Sequence, residues 1–179
     1  MTKMKSKVMV ILAAVVLAAS VAVASDAQPA QQKTMKKVQK ELVTLPYFTV
    51  FDNLEYEIVG NAVTLSGQVR NLVTRRDAER RIARIEGVDH VINKIEVLPV
   101  SGFDDSIRAR SYRAVFRSGS LYRYAMGANP SVHIVVKNGH VTLEGVVSNK
   151  TDSQLAYMAA RGVPGVFSVT NNLRVQSGS

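Results

Sequence analysis

The chain has 179 residues, of which 46% are hydrophobic and 21% charged, with no cysteine and no tryptophan. The missing thiols exclude disulfides, thiolate metal sites and the amino-terminal cysteine on which a diacylated lipoprotein is anchored. A formal net charge of +9 fits either an anionic partner or simple solubility.

In chain order, Lys3, Lys5 and Lys7 form a basic start, residues 8–19 are apolar, and Ala22-Val23-Ala24 supplies small residues before Ser25. This pattern predicts a secretory signal peptide over residues 1–24, cleaved near Ala24 to give an exported protein. Without those three lysines the remainder still carries +6. For an exported chain, anionic phospholipid headgroups are a nearer partner than nucleic acid. Residues 25–32 (SDAQPAQQ) are polar and read as a disordered lead-in.

Residues 33–98 then read as a first module. Met35, Val38 and Leu42 share one helical face, and Pro46 stops that helix. Leu54, Tyr56 and Ile58 alternate with glutamates, Gly60-Asn61 makes a tight turn, and Val63, Leu65, Gly67 and Val69 continue the alternation, giving a hairpin with one apolar face. Thr74 to Asp77 resembles a helix N-cap, Ala78, Ile82 and Ile85 form the inward stripe, Gly87 ends the helix, and a last strand carries Val91, Ile95 and Val97. Residues 99–102 are a short linker, residues 103–175 a second module, and residues 176–179 a polar tail.

The second module repeats the first. Residues 63–97 recur as 141–175 without a gap, with 12 identities in 35 positions, where chance gives roughly two. Asn138-Gly139 is a strong hairpin signal, pairing Val136 with Val141 and His133 with Glu144; Asp152 takes the place of Thr74. The expected fold is α+β: two tandem αββαβ modules, each a three-stranded mixed sheet with two helices packed on one face. The glycines are expected to be structural. Gly60 and Gly139 serve turns, Gly67 and Gly145 allow a helix to pack closely on a strand, and Gly87 and Gly165 follow helices. A module this small has a marginal core, so docking of the two on each other is expected.

The run 135–147 (VVKNGHVTLEGVV), followed by Ala156 and the segment 162–166 (GVPGV), resembles the BON domain family. Residues 61–69 (NAVTLSGQV), with Ala78 and Gly87-Val88, resemble it a second time. The resemblance implies a protein similar to hyperosmotically inducible periplasmic proteins, in a family associated with phospholipid membranes and outer-membrane integrity. Tandem relatives that are lipoproteins carry a lipobox cysteine, which this chain lacks.

Nothing in the sequence has the spacing of a catalytic set or a phosphate loop, so no enzyme activity and no cofactor are expected. His90, His133 and His140 are expected to hold no metal; His133 and Glu144 read as an exposed cross-strand contact. The best candidate surface is the first helix of module two. Arg110, Arg113 and Arg117 cluster on a helical wheel opposite Ser111 and Val115, with Tyr112 and Phe116 at the edge of the apolar face and Tyr122, Arg123 and Tyr124 just beyond. Guanidinium groups pair with phosphate, and tyrosine rings sit at headgroup depth. Residues 33–98 carry 11 basic and 9 acidic residues, whereas residues 102–179 carry 9 and 4. The expected partner is therefore an anionic phospholipid surface, met by module two. The alternative is an envelope protein met by a soluble interaction or chaperone-like module. Tyr112 and Phe116 discriminate: exposed beside Arg113 they favour lipid, and buried they remove its apolar half.

Overall fold

The computed structural model of the protein describes residues 24–127 and 129–176; the expected signal peptide lies outside them apart from Ala24. The first module comprises α1 (Ala24–Val43), β1 (Asn53–Val59), β2 (Ala62–Val69), α2 (Leu72–Ile82), β3 (His90–Asn93) and β4 (Glu96–Val97). The second comprises α3 (Gly102–Phe116), a 3-10 helix (Leu121–Ala125), β5 (Val132–Lys137), β6 (His140–Val147), α4 (Lys150–Arg161), β7 (Ser168–Asn171) and β8 (Arg174–Val175). Residues 25–32 are thus helical rather than a disordered lead-in. Their alanines and glutamines are good helix formers, and Val38 and Leu42 of the same helix are buried in the core.

In each module the first two strands pair antiparallel, and the returning chain pairs parallel with the central strand. Val63 lies opposite Val91, and Val141 opposite Val169, so the repeat seen in sequence is a repeat of register. The expected third strand is two short pieces, both on the central strand. An asparagine common to both copies makes the break. Asn93 Oδ1 accepts from Ile95 N at 3.1 Å while its Nδ2 donates to Arg75 O at 3.2 Å. Asn171 does the same to Leu173 N at 3.2 Å and Ser153 O at 3.3 Å. Side-chain bonding to local backbone replaces one rung of the ladder.

The helix caps correct the sequence reading. The N-cap of α2 is Asn71, not Thr74; its side chain accepts from Val73 N at 2.8 Å. Asn149 caps α4 in the same way, accepting from Asp152 N at 2.8 Å. Thr74 instead lies wholly buried, its hydroxyl without a hydrogen-bond partner. The helix α2 ends at Ile82 with Ala83 as its cap, so Gly87 belongs to the loop beyond it. Gly67 and Gly145 serve neither helix. They take φ of +105° and +115°, and a Cβ would lie 2.2 Å from Asn53 O and 2.1 Å from Ser131 O, on the neighbouring strand's backbone. The turn glycines hold as expected: Asn138 and Gly139 both have positive φ, the signature of a tight hairpin turn.

Each module closes its own core. The first is built on Val38, Leu65, Ala78 and Ile82, and the second on Ile107, Val115, Ile134, Leu143, Ala156 and Ala160. The two dock through the segment after α1. Ile134 N donates to Val50 O at 2.8 Å, and Val50 and Phe51 pack on the second core. Phe48 meets the ring of His133 at 5.4 Å, and Arg70 pairs with Asp105 at 2.9 Å. Asp52 holds this segment in shape, accepting from Thr49 N at 2.8 Å and Arg70 N at 2.6 Å.

Candidate functional site

The helix α3 starts at Ser101, whose hydroxyl accepts from Asp104 N at 3.2 Å. Asp104 is fully buried and accepts the amides of Asn138 and Gly139 at 2.9 and 2.8 Å, which fixes the helix start to the hairpin tip. Ile107, Ser111 and Val115 face the core, as the helical wheel predicts, and Arg113 and Arg117 face out. After the helix cap at Arg117 the chain folds back as the 3-10 helix. Leu121 and Tyr124 point inward, which turns Tyr122 and Met126 outward.

Between helix and 3-10 turn lies an open notch of about 420 Å³, lined by Tyr112, Arg113, Phe116, Arg117, Tyr122, Ala125 and Met126. Five of these residues were expected from sequence. Phe116 is 5% exposed and Tyr112 39%, so the two divide the role. Phe116 floors the notch, and Tyr112 stands above it with ring centroids 5.0 Å apart. Arg113 and Arg117 have no carboxylate partner among the described residues. Met126 escaped the sequence reading because a 3-10 turn, not a helical period, brings it to the notch.

The structure places the other three candidates elsewhere. Arg123 and Tyr124 belong to a latch centred on Asp152, which is 4% exposed. The Asp152 carboxylate accepts from Tyr124 Oη at 2.5 Å, from Asn149 Nδ2 at 3.0 Å and from the Arg123 guanidinium. Tyr124 Oη in turn accepts from Ser148 N at 2.9 Å. The hydrogen bond from Tyr124, above all, holds the Asp152 carboxyl below the usual carboxylate range, and Arg123 adds to it. The latch ties the 3-10 helix, one wall of the notch, to the start of α4. Its signal in the sequence was the change from Thr74 to Asp152, visible but not linked to Arg123. Arg110 lies toward the other end of α3, its guanidinium beside Gly165 and Phe103.

His133 corrects another expectation. It pairs in register with Glu144, but its ring packs on Phe48 at the module seam and its Nδ1 is buried without a partner. Burial pushes its pKa down. His140 bonds Ser168 Oγ at 2.7 Å. Among the described residues no three His, Asp or Glu side chains converge to hold a metal ion, and no helix is long and apolar enough to cross a membrane.

Two αββαβ units, each with this asparagine-broken third strand, define a tandem α+β protein. The BON domain model matches residues 31–99 and 104–177, and the chain belongs to that family. No curated protein matches the chain significantly. Among solved structures, the chain is similar to the C-terminal domain of CdsD, the structural protein of the Type III secretion system of Chlamydia trachomatis, at 11% identity and a TM-score of 0.33, covering 80% of this chain and 97% of that one. A second CdsD structure from the same organism gives 10% identity and a TM-score of 0.34, covering 82% and 94%.

Proposed function

We propose that the protein is a non-catalytic component of the cell envelope that docks peripherally on anionic phospholipid through the notch of its second module. One observation carries this reading: an open apolar notch framed by two guanidinium groups, Arg113 and Arg117, that no carboxylate of the described residues neutralises. Each guanidinium offers a planar fork to a phosphate. Tyr112, Tyr122 and Met126 supply the apolar contact beside them, at the depth where amphipathic rings settle. A basic residue near an anionic surface contributes about 1 kcal/mol, so two or three of them give weak, salt-sensitive binding. The excess charge of module two supports the same face. Membership of the BON family supports an envelope location, and it carries the extension to membrane integrity under osmotic stress.

The test is co-sedimentation of residues 24–179 with phosphatidylglycerol and phosphatidylcholine vesicles at low and high salt. Phosphatidylglycerol-selective pelleting is expected, lost in high salt and in the Arg113→Glu/Arg117→Glu variant. A folded sample that pellets with neither lipid refutes the reading and returns the notch to a protein partner.

A further inference from the structure

Away from the notch, an open groove of about 350 Å³ runs between α4 and β7, lined by Tyr157, Arg161, Val166, Phe167, Ser168 and Val169. Tyr157, Val166 and Val169 pack half-buried on the second core, whereas Phe167 is 68% exposed. The fold does not require this lining. In the register of the repeat, Tyr157, Arg161 and Phe167 fall on Glu79, Ala83 and Asp89 of the first copy. There Glu79 accepts from Asn93 Nδ2 at 2.9 Å and Asp89 from Asn61 Nδ2 at 2.9 Å, so both charges are satisfied within their own module. In the second copy the two carboxylates have become aromatic rings, and a guanidinium has come in. Arg161 donates to Tyr157 Oη at 3.5 Å and meets no carboxylate among the described residues.

The groove follows an open sheet edge. β7 pairs with β6, and among the described residues no strand lies on its other side. Asn172 N, just past the strand, donates inward to Leu143 O at 2.9 Å. Alternation back along the chain turns the amides of Thr170 and Ser168 inward as well, and leaves N–H and C=O of Val169 and Asn171 on the open edge. The Val169 side chain packs toward the core. A residue paired with it across the edge points its own side chain the same way, into the groove. Since β6 and β7 run parallel, α4 between them runs back in the opposite direction, and its last residue, Arg161, stands at the head of the edge. Before Phe167 the chain turns away through Pro164, which has no amide to offer a further strand.

We infer that this groove takes the C-terminal end of an extended peptide from another protein, added antiparallel to β7 as one more strand. The peptide backbone pairs with Val169 and Asn171. An apolar side chain near its end settles between Tyr157, Val166 and Phe167, and its terminal carboxylate pairs with Arg161. Charge complementarity selects this occupant: the lining holds one guanidinium and no carboxylate, and a guanidinium fork matches a carboxylate in shape and charge. An antiparallel strand runs out of partners where the edge ends, beside Arg161, which places a chain terminus there rather than an internal acidic residue. The groove shares no residue with the notch, so the peptide site and the lipid reading stand or fall separately.

The full chain, exported and purified as the host processes it, is titrated with fluorescein-labelled octapeptides varied at their last positions. Each is made with a free C-terminus and again as the amide, and binding is followed by anisotropy. Peptides ending in an apolar residue are expected to bind, and amidation to weaken them on the order of tenfold. Arg161→Ala is expected to give the same loss with an unchanged urea midpoint, because Arg161 is exposed. Tyr157→Glu, which installs the residue of the first copy, is expected to abolish binding. In the complex, the amide protons of Val169 and Asn171 are expected to become protected from exchange. No binding by any free-acid peptide, equal binding of acids and amides, or binding unchanged in Arg161→Ala overturns the inference. So does a wild type that sediments as a dimer with the Val169 amide already protected, since a second copy then fills the edge.

Discussion

Asp152→Ala is the most informative single substitution, because it removes a support of the notch without touching its lining. Four groups lose an acceptor: Tyr124 Oη, Asn149 Nδ2, Ser120 Oγ and the Arg123 guanidinium. Arg123 is 43% exposed at its side chain, so water replaces its bond at small cost. Tyr124 is 6% exposed, and its hydroxyl proton is left without a protein acceptor. A hydrogen bond to a charged group contributes about 1.5–3 kcal/mol, and an orphaned buried donor costs about 1–3 kcal/mol. A loss of about 2–4 kcal/mol follows, read as a lower urea midpoint at unchanged slope. Freed from α4, the 3-10 helix no longer holds Tyr122 and Met126 against α3, so vesicle binding falls as well, under conditions where the variant is still folded. The pH sign is set by the depressed carboxyl. The stabilisation is present above the unfolded aspartate value of about 3.9 and is lost as pH falls through the folded value. Titrating the wild type to that range should reproduce part of the variant's loss. A midpoint within about 0.5 kcal/mol of wild type, the size of an ordinary surface substitution, would refute the latch.

The glycines make a paired prediction. Gly145→Ala puts a Cβ 2.1 Å from Ser131 O at a φ of +115° and is expected to cost more than about 3 kcal/mol in chemical denaturation. Gly60→Ala, with a φ of +58° and nothing within 4 Å, is expected to cost only about 1 kcal/mol; equal losses would contradict the close-approach argument. At the seam, burial lowers the His133 pKa, with the Asp52 carboxylate partly opposing it. The folded state thus resists protonation, and stability declines as pH drops below the unfolded value of about 6.5 toward the folded one. Urea midpoints at pH 7.5 and 5.5 should show this decline in the wild type, and His133→Phe, which keeps a ring against Phe48, should flatten it. An unchanged slope in that variant would assign the decline to other groups.

The sequence by itself determined what is local and periodic. The alternation of Val63, Leu65 and Val69, the Asn138-Gly139 turn and the recurrence of residues 63–97 specified strands, turn and repeat, because side-chain period and turn chemistry act over a few residues. It also brought out the outward Arg113 and Arg117 beside Tyr112, since a helical wheel needs only spacing. Two capping asparagines, Asn71 and Asn149, stood in plain view among the identities, yet Thr74 looked the better cap until the helix start was known. What only the tertiary structure decided depends on groups distant in sequence. Asp152 reaches Tyr124 across 28 residues, which made Tyr124 a buried support and tied the exposed Arg123 to it. Gly145 proved to be required by Ser131 O, not by a helix. The irregular segment at residues 46–53 became the seam between the modules. Its Val50 carbonyl had to find a partner, and Ile134 N at the edge of the second sheet supplied it. Burial and hydrogen-bond satisfaction are properties of the packed chain, and no local pattern states which distant group will provide them.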